Sequence, residues 1–447
     1  MPGPRLDPIN DAASLPARVD VVIIGGGIIG ASAALELAER GLKVALCDKG
    51  KVGGEQSGRN MGWVRLSHRD PREMPLMIEA VRLWEQLNAR TGEETGYRQC
   101  GITYACASQA TLADMQGWVD YQKPFGIGAR MVGAQEGLAP YPGIALKIFG
   151  AMINPKDGRA EPQKASAALA RAAQRLGASI HQSCAVRTVE TGGGKIVGVV
   201  TEKGRIACDA VLLAGGAWSR LFLGNMGIAL PQLWVKSSVL RTEPLPGGPE
   251  GTLKHSDFTF TKRLDGGYTV SSALATKYDI TPDSLRLMRA FIPTLKNEWR
   301  SLNLSFGPAF FRAMRLRRRW SADQVTPFEQ VRVLDPAPDA DLTDPILESI
   351  RKVYPFFRNA RIAQRWAGQM DVMPDAIPVI SPVDRVPGLF LATGFSGHGF
   401  GIGPAAGRLA ADLVTNAAPC VDPHEFRLSR FTDGSRIAPI SGITRRG

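Results

Sequence analysis

The stretch Val19–Gly30, "VDVVIIGGGIIG", constrains this chain more than any other: an apolar strand pattern breaks into three consecutive glycines and resumes at once with helical character. In the spacing G-x-G-x-x-G, Gly25 permits a tight turn, Gly27 lets the backbone approach a pyrophosphate, and Gly30 lets the helix pack against the strand. A helix beginning at Ile28 turns free N–H groups and the positive end of its dipole toward phosphates. The context supports the motif. Residues 31–40 have helical character, Gly41 can end that helix, and "KVALCD" forms a second strand ending in Asp48, which lies 18 residues after Gly30 and is placed to accept hydrogen bonds from a ribose diol. The reading is a dinucleotide site.

Two further stretches repeat the design, "CDAVLLAGGAWS" (Cys208–Ser219) and "GLFLATGFSGHGFGIGPAAGRLAADLV" (Gly388–Val414). Three returns of the chain to one nucleotide-binding sheet suit a long, extended cofactor, so FAD is expected rather than NAD. No cysteine or histidine lies in a flavin-attachment context, which makes the expected binding noncovalent.

At 447 residues the chain exceeds one ordinary core, and two interleaved domains are expected. The segments 17–60, 149–230 and 355–420 read as an α/β, Rossmann-like FAD-binding domain. Segments 61–148 and 231–354, with patterns such as "GGYTVSSAL" and proline-rich loops, read as an α+β substrate domain built on a mainly antiparallel sheet.

The net charge of +12 calls for an anionic partner: a nucleotide, an acidic substrate, a membrane surface or nucleic acid. No nucleic-acid-binding module accompanies the charge, so that partner is not expected. The six cysteines form no C-x-x-C pair and have no histidine at metal-ligand spacing. Reduced thiols, no metal and a cytoplasmic setting follow as expectations. The first twenty residues carry neither a signal-peptide pattern nor an apolar anchor. One stretch, "FGPAFFRAMRLRRRW" (Phe306–Trp320), sets Arg312, Arg315 and Arg317 to Arg319 beside several aromatic residues. It is either a solvated or subunit-contacting face or a peripheral contact with an anionic bilayer, the inner membrane being the candidate.

With these segments placed, the chain resembles FAD-dependent amine oxidoreductases of the D-amino-acid oxidase type, which include glycine and sarcosine oxidases. Within that group it is most similar to bacterial membrane-associated L-amino-acid deaminases. The resemblance rests on "GEQSGR" (Gly54–Arg59), "CAVRTVETGGGKIVGVVTEKG" (Cys184–Gly204), "LAGGAWSRLFLGNMGI" (Leu213–Ile228), "TPFEQVRV" (Thr326–Val333) and "GPAAG" (Gly403–Gly407).

It implies that Asp48 and Lys49 border the adenosine, that Gln56, Ser57 and Arg59 line the cofactor channel, and that the Val186 backbone meets the adenine end. Gly215 and Gly216 would pass the pyrophosphate or ribityl chain. Gly394, Gly397, His398, Gly399 and Gly401 would turn beneath the flavin ring. Met61, Trp63, Lys277, Trp366 and His398 are the candidate substrate wall. Where these deaminases carry an arginine for the substrate carboxylate, the aligned residue here is Ala273; Lys277 is the nearest cation and Arg65 a candidate replacement. The family's apolar anchor helix has no counterpart, and residues 301–345 stand in place of its membrane-contacting insertion.

The implied activity is oxidative deamination of an amino acid, L favoured, by hydride transfer to flavin, giving an imine and then keto acid and ammonia. Electrons would pass on to oxygen or a membrane carrier. Oxidation of a secondary or N-methylated amine, or service as the flavin subunit of an electron-transfer complex, are the alternatives.

Overall fold

The structure, a computed structural model, describes residues 3–272, 276–298 and 303–437. Strand Val21–Ile24 is buried along its whole length, as its unbroken apolar run requires of a parallel strand covered on both faces. It lies inside a six-stranded sheet ordered Val379–Pro382, Leu389–Thr393, Ala210–Leu213, Val21–Ile24, Val44–Cys47, Ser179–His181. The strands pair in parallel except at the Val379–Pro382 edge. The three strand-then-glycine stretches therefore occupy adjacent places. Their carboxyl ends deliver Gly25–Gly27, Gly215–Gly216 and Gly394–Gly399 to one edge of the sheet, where ligands bind in folds of this class.

Two of those strands feed long helices, Ile28–Glu39 and Gly399–Val414, which share one buried core. They pack with almost nothing between them. A Cβ on Gly403 would stand 2.7 Å from Cγ1 of Ile28, and one on Gly407 would stand 2.4 Å from Cβ of Ser32. Trp84, on helix Met74–Thr91, buttresses the pair by donating Nε1–H to the Gly401 carbonyl at 2.7 Å.

The second layer is a large mixed sheet. Its order is Leu304–Ser305, Thr276–Asp279, Leu233–Thr242, Tyr268–Ser271, Thr259–Lys262, Thr252–Lys254, Ile102–Cys106, Gly150–Asn154, Arg130–Val132, and Ile362–Val372 pairs along Leu233–Thr242. Most pairings are antiparallel. Thr252–Lys254 runs parallel to Ile102–Cys106 and sets Lys254 beside Tyr104.

Three segments cross the expected domain limits. Gly150–Asn154 and Ile362–Val372, expected in the FAD-binding portion, are strands of this larger sheet. Helix Met74–Thr91, expected with the substrate portion, contributes Met74, Met77 and Trp84 to the core around Ile28–Glu39. Periodicity reports which residues are buried and says nothing of which sheet or helix receives them.

The helix contact predicts a contrast. Gly407→Val has no room to relax and is expected to cost more than about 3 kcal/mol. Gly117→Ala, at an exposed position of helix Gln109–Gln122 with no atom within 4 Å of the added Cβ, should stabilise by about 1 kcal/mol. Thermal unfolding of the two variants checks both signs.

Candidate active site

A cavity of ≈ 460 Å³ runs from the glycine-bearing edge of the parallel sheet to the larger sheet. At its first end Gly25, Gly27, Ile28, Asp48, Val186, Gly215 and Gly216 form the wall. Gly25 has φ +106°, and a Cβ there would lie 2.4 Å from the Ala214 carbonyl oxygen. Gly27 is different. Its backbone is extended, and a Cβ would meet only Ser57 Oγ at 3.0 Å, because the residue faces the cavity. Ser57 Oγ accepts from the Ile28 N–H at 2.9 Å and so orients the helix start. Asp48 accepts from the Gly26 and Gly50 amides, each at 2.7 Å; burial pushes its carboxyl above the usual range, and those amides oppose the shift.

Several of the residues expected at the cofactor also hold the framework around it. Gly30 lies outside the wall, and a Cβ on it would stand 2.0 Å from the Gly25 carbonyl oxygen, so its task is packing. Gly394 is also outside the wall and is held from behind, its N–H donating to Asp371 Oδ2 at 2.8 Å. Lys49 borders the cavity, but its ammonium donates to Glu55 at 2.6 Å and to the carbonyls of Val331 and Arg332 at 2.9 and 3.0 Å. It thereby ties residues 328–333 over this end, where Phe328, Arg332 and Val333 add to the wall. Arg59 also lines the cavity, with its guanidinium on Asp335 at 2.5 Å and the Ala367 carbonyl at 2.9 Å. Gln56 accepts from the Asp371 N–H at 3.3 Å.

These residues fit a dinucleotide. A backbone face without side chains meets the N-terminus of Ile28–Glu39, whose cap residue has no side-chain bond. A carboxylate stands at the end of the neighbouring strand, and a second helix N-terminus, that of Gly399–Val414, opens on the same cavity. FAD would be held by the Gly25–Ile28 and Gly215–Gly216 backbone, by Asp48, and by the Gly397–Gly401 turn.

The far end gathers titratable side chains. Met61, Trp63, Arg65 and His398 line it, joined by Lys254 and Arg69. Trp63 is fixed by its Nε1–H bond to Thr261 Oγ1 at 2.8 Å. His398 is buried, and its Nδ1 meets Glu73 Oε2 at 3.2 Å; Arg69 holds the same Glu73 oxygen at 3.5 Å and reaches the His398 carbonyl at 3.4 Å. Burial alone would raise the Glu73 carboxyl, yet His398 and Arg69 hold it below the usual range. Burial lowers the His398 imidazole, with Glu73 opposing, so the ring is neutral at neutral pH. An ionised Glu73 accepts from Nδ1–H, which leaves Nε2 as a proton acceptor. Lys254 stacks its ammonium over the Tyr104 ring at 5.4 Å; burial, and then Arg65, push its pKa down to about 8.

Two expected wall residues belong elsewhere. Trp366 is 1% exposed and lies outside the cavity, its Nε1–H on the Arg59 carbonyl at 2.8 Å; it is core. Lys277 points to the opposite side of its strand from the cavity-lining Thr276, 3.8 Å from Asp339. Alternation along the strand decides this. Ala273 lies outside the described residues. Lys254, Glu73, Arg69 and Asp371 went unread in the sequence. Lys254 ends a three-residue strand, Thr252–Lys254, that carries no motif, and Glu73 lies 325 residues from its partner His398.

The family model for FAD dependent oxidoreductases matches residues 20–413. The solved structure of an L-amino acid deaminase from Proteus myxofaciens, in complex with anthranilate, superposes with a TM-score of 0.93 at 35% identity, covering 97% of this chain and 98% of that one. Glycine oxidase of Pseudomonas aeruginosa is 26% identical, covering 91% of this chain and 97% of its own length. The chain is 25% identical to 4-methylaminobutanoate oxidase (formaldehyde-forming) of Paenarthrobacter nicotinovorans over 94% of its own length, but spans only 46% of that relative.

Gly27→Val should empty the cofactor site and spare the fold, since the new side chain projects into the cavity and meets only Ser57. Flavin absorbance per chain should collapse while the far-ultraviolet circular dichroism is retained. Full occupancy would show that the glycine fingerprint is misassigned.

Proposed function

Since the chain belongs to the family of FAD-dependent oxidoreductases, we propose that it carries out oxidative deamination of an α-amino acid of L configuration, giving a keto acid and ammonia. The observation that carries this reading is the far end of the cavity. Two cations, Arg65 and Lys254, and a neutral imidazole, His398, line the same space that continues to the glycine cradle. That set suits a molecule with a carboxylate and an amine. The identity with the Proteus deaminase over nearly its whole length supports the same choice.

Bound FAD supplies the acceptor for the two electrons and the hydrogen that leave the substrate. The protein prepares the rest. Arg65 and Lys254 take the carboxylate, each charged hydrogen bond contributing about 1.5–3 kcal/mol in a closed site. His398 Nε2 takes a proton from the substrate ammonium, freeing the nitrogen lone pair on which C–H cleavage depends. Glu73 is a positioning residue that fixes the tautomer, and Arg69 fixes Glu73. The imine formed from the substrate is hydrolysed by water. The electrons then leave to oxygen or to a membrane carrier.

Anaerobic mixing with L-amino acids should bleach the flavin, and the matching decarboxylated amines should do so far more slowly. Flavin that stays oxidised with every amino acid would sink the reading. Glu73→Gln is expected to slow flavin reduction by about 10²-fold. The sign of its pH effect is fixed: Glu73 raises the His398 pKa, so without it the acidic limb of the rate profile moves to lower pH. An unmoved profile would remove His398 from proton transfer.

We place the acceptor side of the reaction at a membrane surface. Phe306 and Met314 are 64% and 60% exposed, on and beside helix Pro308–Arg315, whose last turn carries Arg312 and Arg315. Part of the basic run is committed to the protein: Arg318 pairs with Asp283 at 3.1 Å, and Arg319 donates to the Asn225 carbonyl at 2.6 Å. Trp320 is buried, donating to the Arg187 carbonyl at 2.7 Å. No described helix is long and apolar enough to cross a membrane. Co-sedimentation with acidic vesicles should weaken as salt rises, since the Debye length is only about 10 Å at 0.1 M. Equal binding to neutral vesicles would argue against the arginines.

A further inference from the structure

Three buried carboxylates away from the cavity have arginine partners. Glu36 meets Arg90 and Arg408, Asp375 meets Arg430, and Asp412 meets Arg40. Asp371 is different. It is 2% exposed and belongs to the cavity wall, yet among the described residues it forms no ion pair. Its Oδ2 instead accepts from the Gly394 N–H at 2.8 Å and from Gln232 Nε2–H at 3.1 Å, with the Thr393 hydroxyl 3.5 Å away. Burial pushes the carboxyl above its usual range, and the Gly394 N–H leads the groups that oppose the shift. Donors of this kind favour the ionised form. An unpaired buried charge is costly to keep, and the mechanism above makes no use of it.

The same network ties together the turns that would carry the cofactor. Gln232 and Thr393 each donate to the Gly216 carbonyl at 3.2 Å. The Asp371 carbonyl accepts from the Ser396 N–H at 2.9 Å, and the Asp371 N–H donates to Gln56 Oε1 at 3.3 Å. Asp371 therefore stands where the glycine cradle of the first end meets the turn that leads to His398. Little water surrounds a carboxylate so deeply buried, so its charge acts across the cavity with weak screening. A hydride delivered to the flavin brings two electrons and one proton and adds one negative charge. An ionised carboxylate nearby opposes that gain.

We propose that Asp371 is a positioning residue for the flavin whose carboxylate joins the Gly216 and Gly394 turns and whose charge holds the reduction potential of bound FAD low. The proposal rests on the cofactor alone and goes beyond the amino-acid reading above. A low potential makes the reduced cofactor a stronger donor to its acceptor.

The midpoint potential of the holoenzyme, measured against reference dyes, tests this in the wild type and in four variants. Asp371→Asn removes the charge and keeps an oxygen that can accept the Gly394 N–H. Its potential should rise by at least about 30 mV, a tenfold change in the equilibrium of a two-electron couple. Asp371→Ser removes the charge with a smaller side chain and should give a rise as well. Asp371→Glu keeps the charge and should restore most of the wild-type value. Thr393→Val disturbs the same network without changing charge and should move the equilibrium by less than about twofold. Flavin absorbance per chain confirms that each protein is loaded. A potential that is unmoved or lowered in Asp371→Asn, or that rises equally in Thr393→Val, would overturn the proposal. Loss of FAD from both neutral variants, with Asp371→Glu still loaded, would confine Asp371 to holding the turns and overturn its effect on the potential.

Discussion

The contact on which the rest depends is the one between helices Ile28–Glu39 and Gly399–Val414. Gly403 and Gly407 bring the second helix so close that Ile28 and Ser32 fill the space their side chains would need. Both helices follow strands of one parallel sheet, so close packing along their length fixes both N-termini at the same edge. Two positive dipole ends and two glycine turns then face one cavity. Larger residues at Gly403 or Gly407 would separate the helices, and the cavity would lose its shape before any lining residue changed.

Charge divides that cavity into two working ends. At the first end, three positive side chains are spent on the protein: Lys49 on Glu55 and two carbonyls, Arg59 on Asp335, Arg332 on Glu202. Backbone amides and Asp48 remain for a nucleotide. At the other end Arg65 and Lys254 line the wall, and burial lowers the His398 imidazole. The overall charge of +12 thus has little to do with the site; what matters is which charged groups line it.

Much of this was legible in the sequence, for a physical reason. Strand-to-helix turns need particular backbone conformations and so need glycine, and the three glycine stretches did mark three adjacent strands. Met61, Trp63, Arg65 and His398, read as candidates for a substrate wall, do line the cavity. Lys277 misled because facing alternates residue by residue, and Thr276 took the cavity side. Trp366 misled because a tryptophan in a strand looks the same in a core as in a wall. Lys254 and Glu73 were illegible: the first owes its place to a parallel pairing with residues 150 positions away, the second to a histidine 325 residues on.

Titration of the deflavinated protein with FAD and with FMN tests the central claim most directly. The account assigns the Gly25–Ile28 turn and Asp48 to the adenosine and pyrophosphate that FMN lacks. It predicts one FAD bound per chain, with FMN weaker by about 100-fold or more, equivalent to about 2.7 kcal/mol. Comparable affinity for FMN would contradict it, because the glycine-lined end of the cavity would then contribute nothing to holding the cofactor.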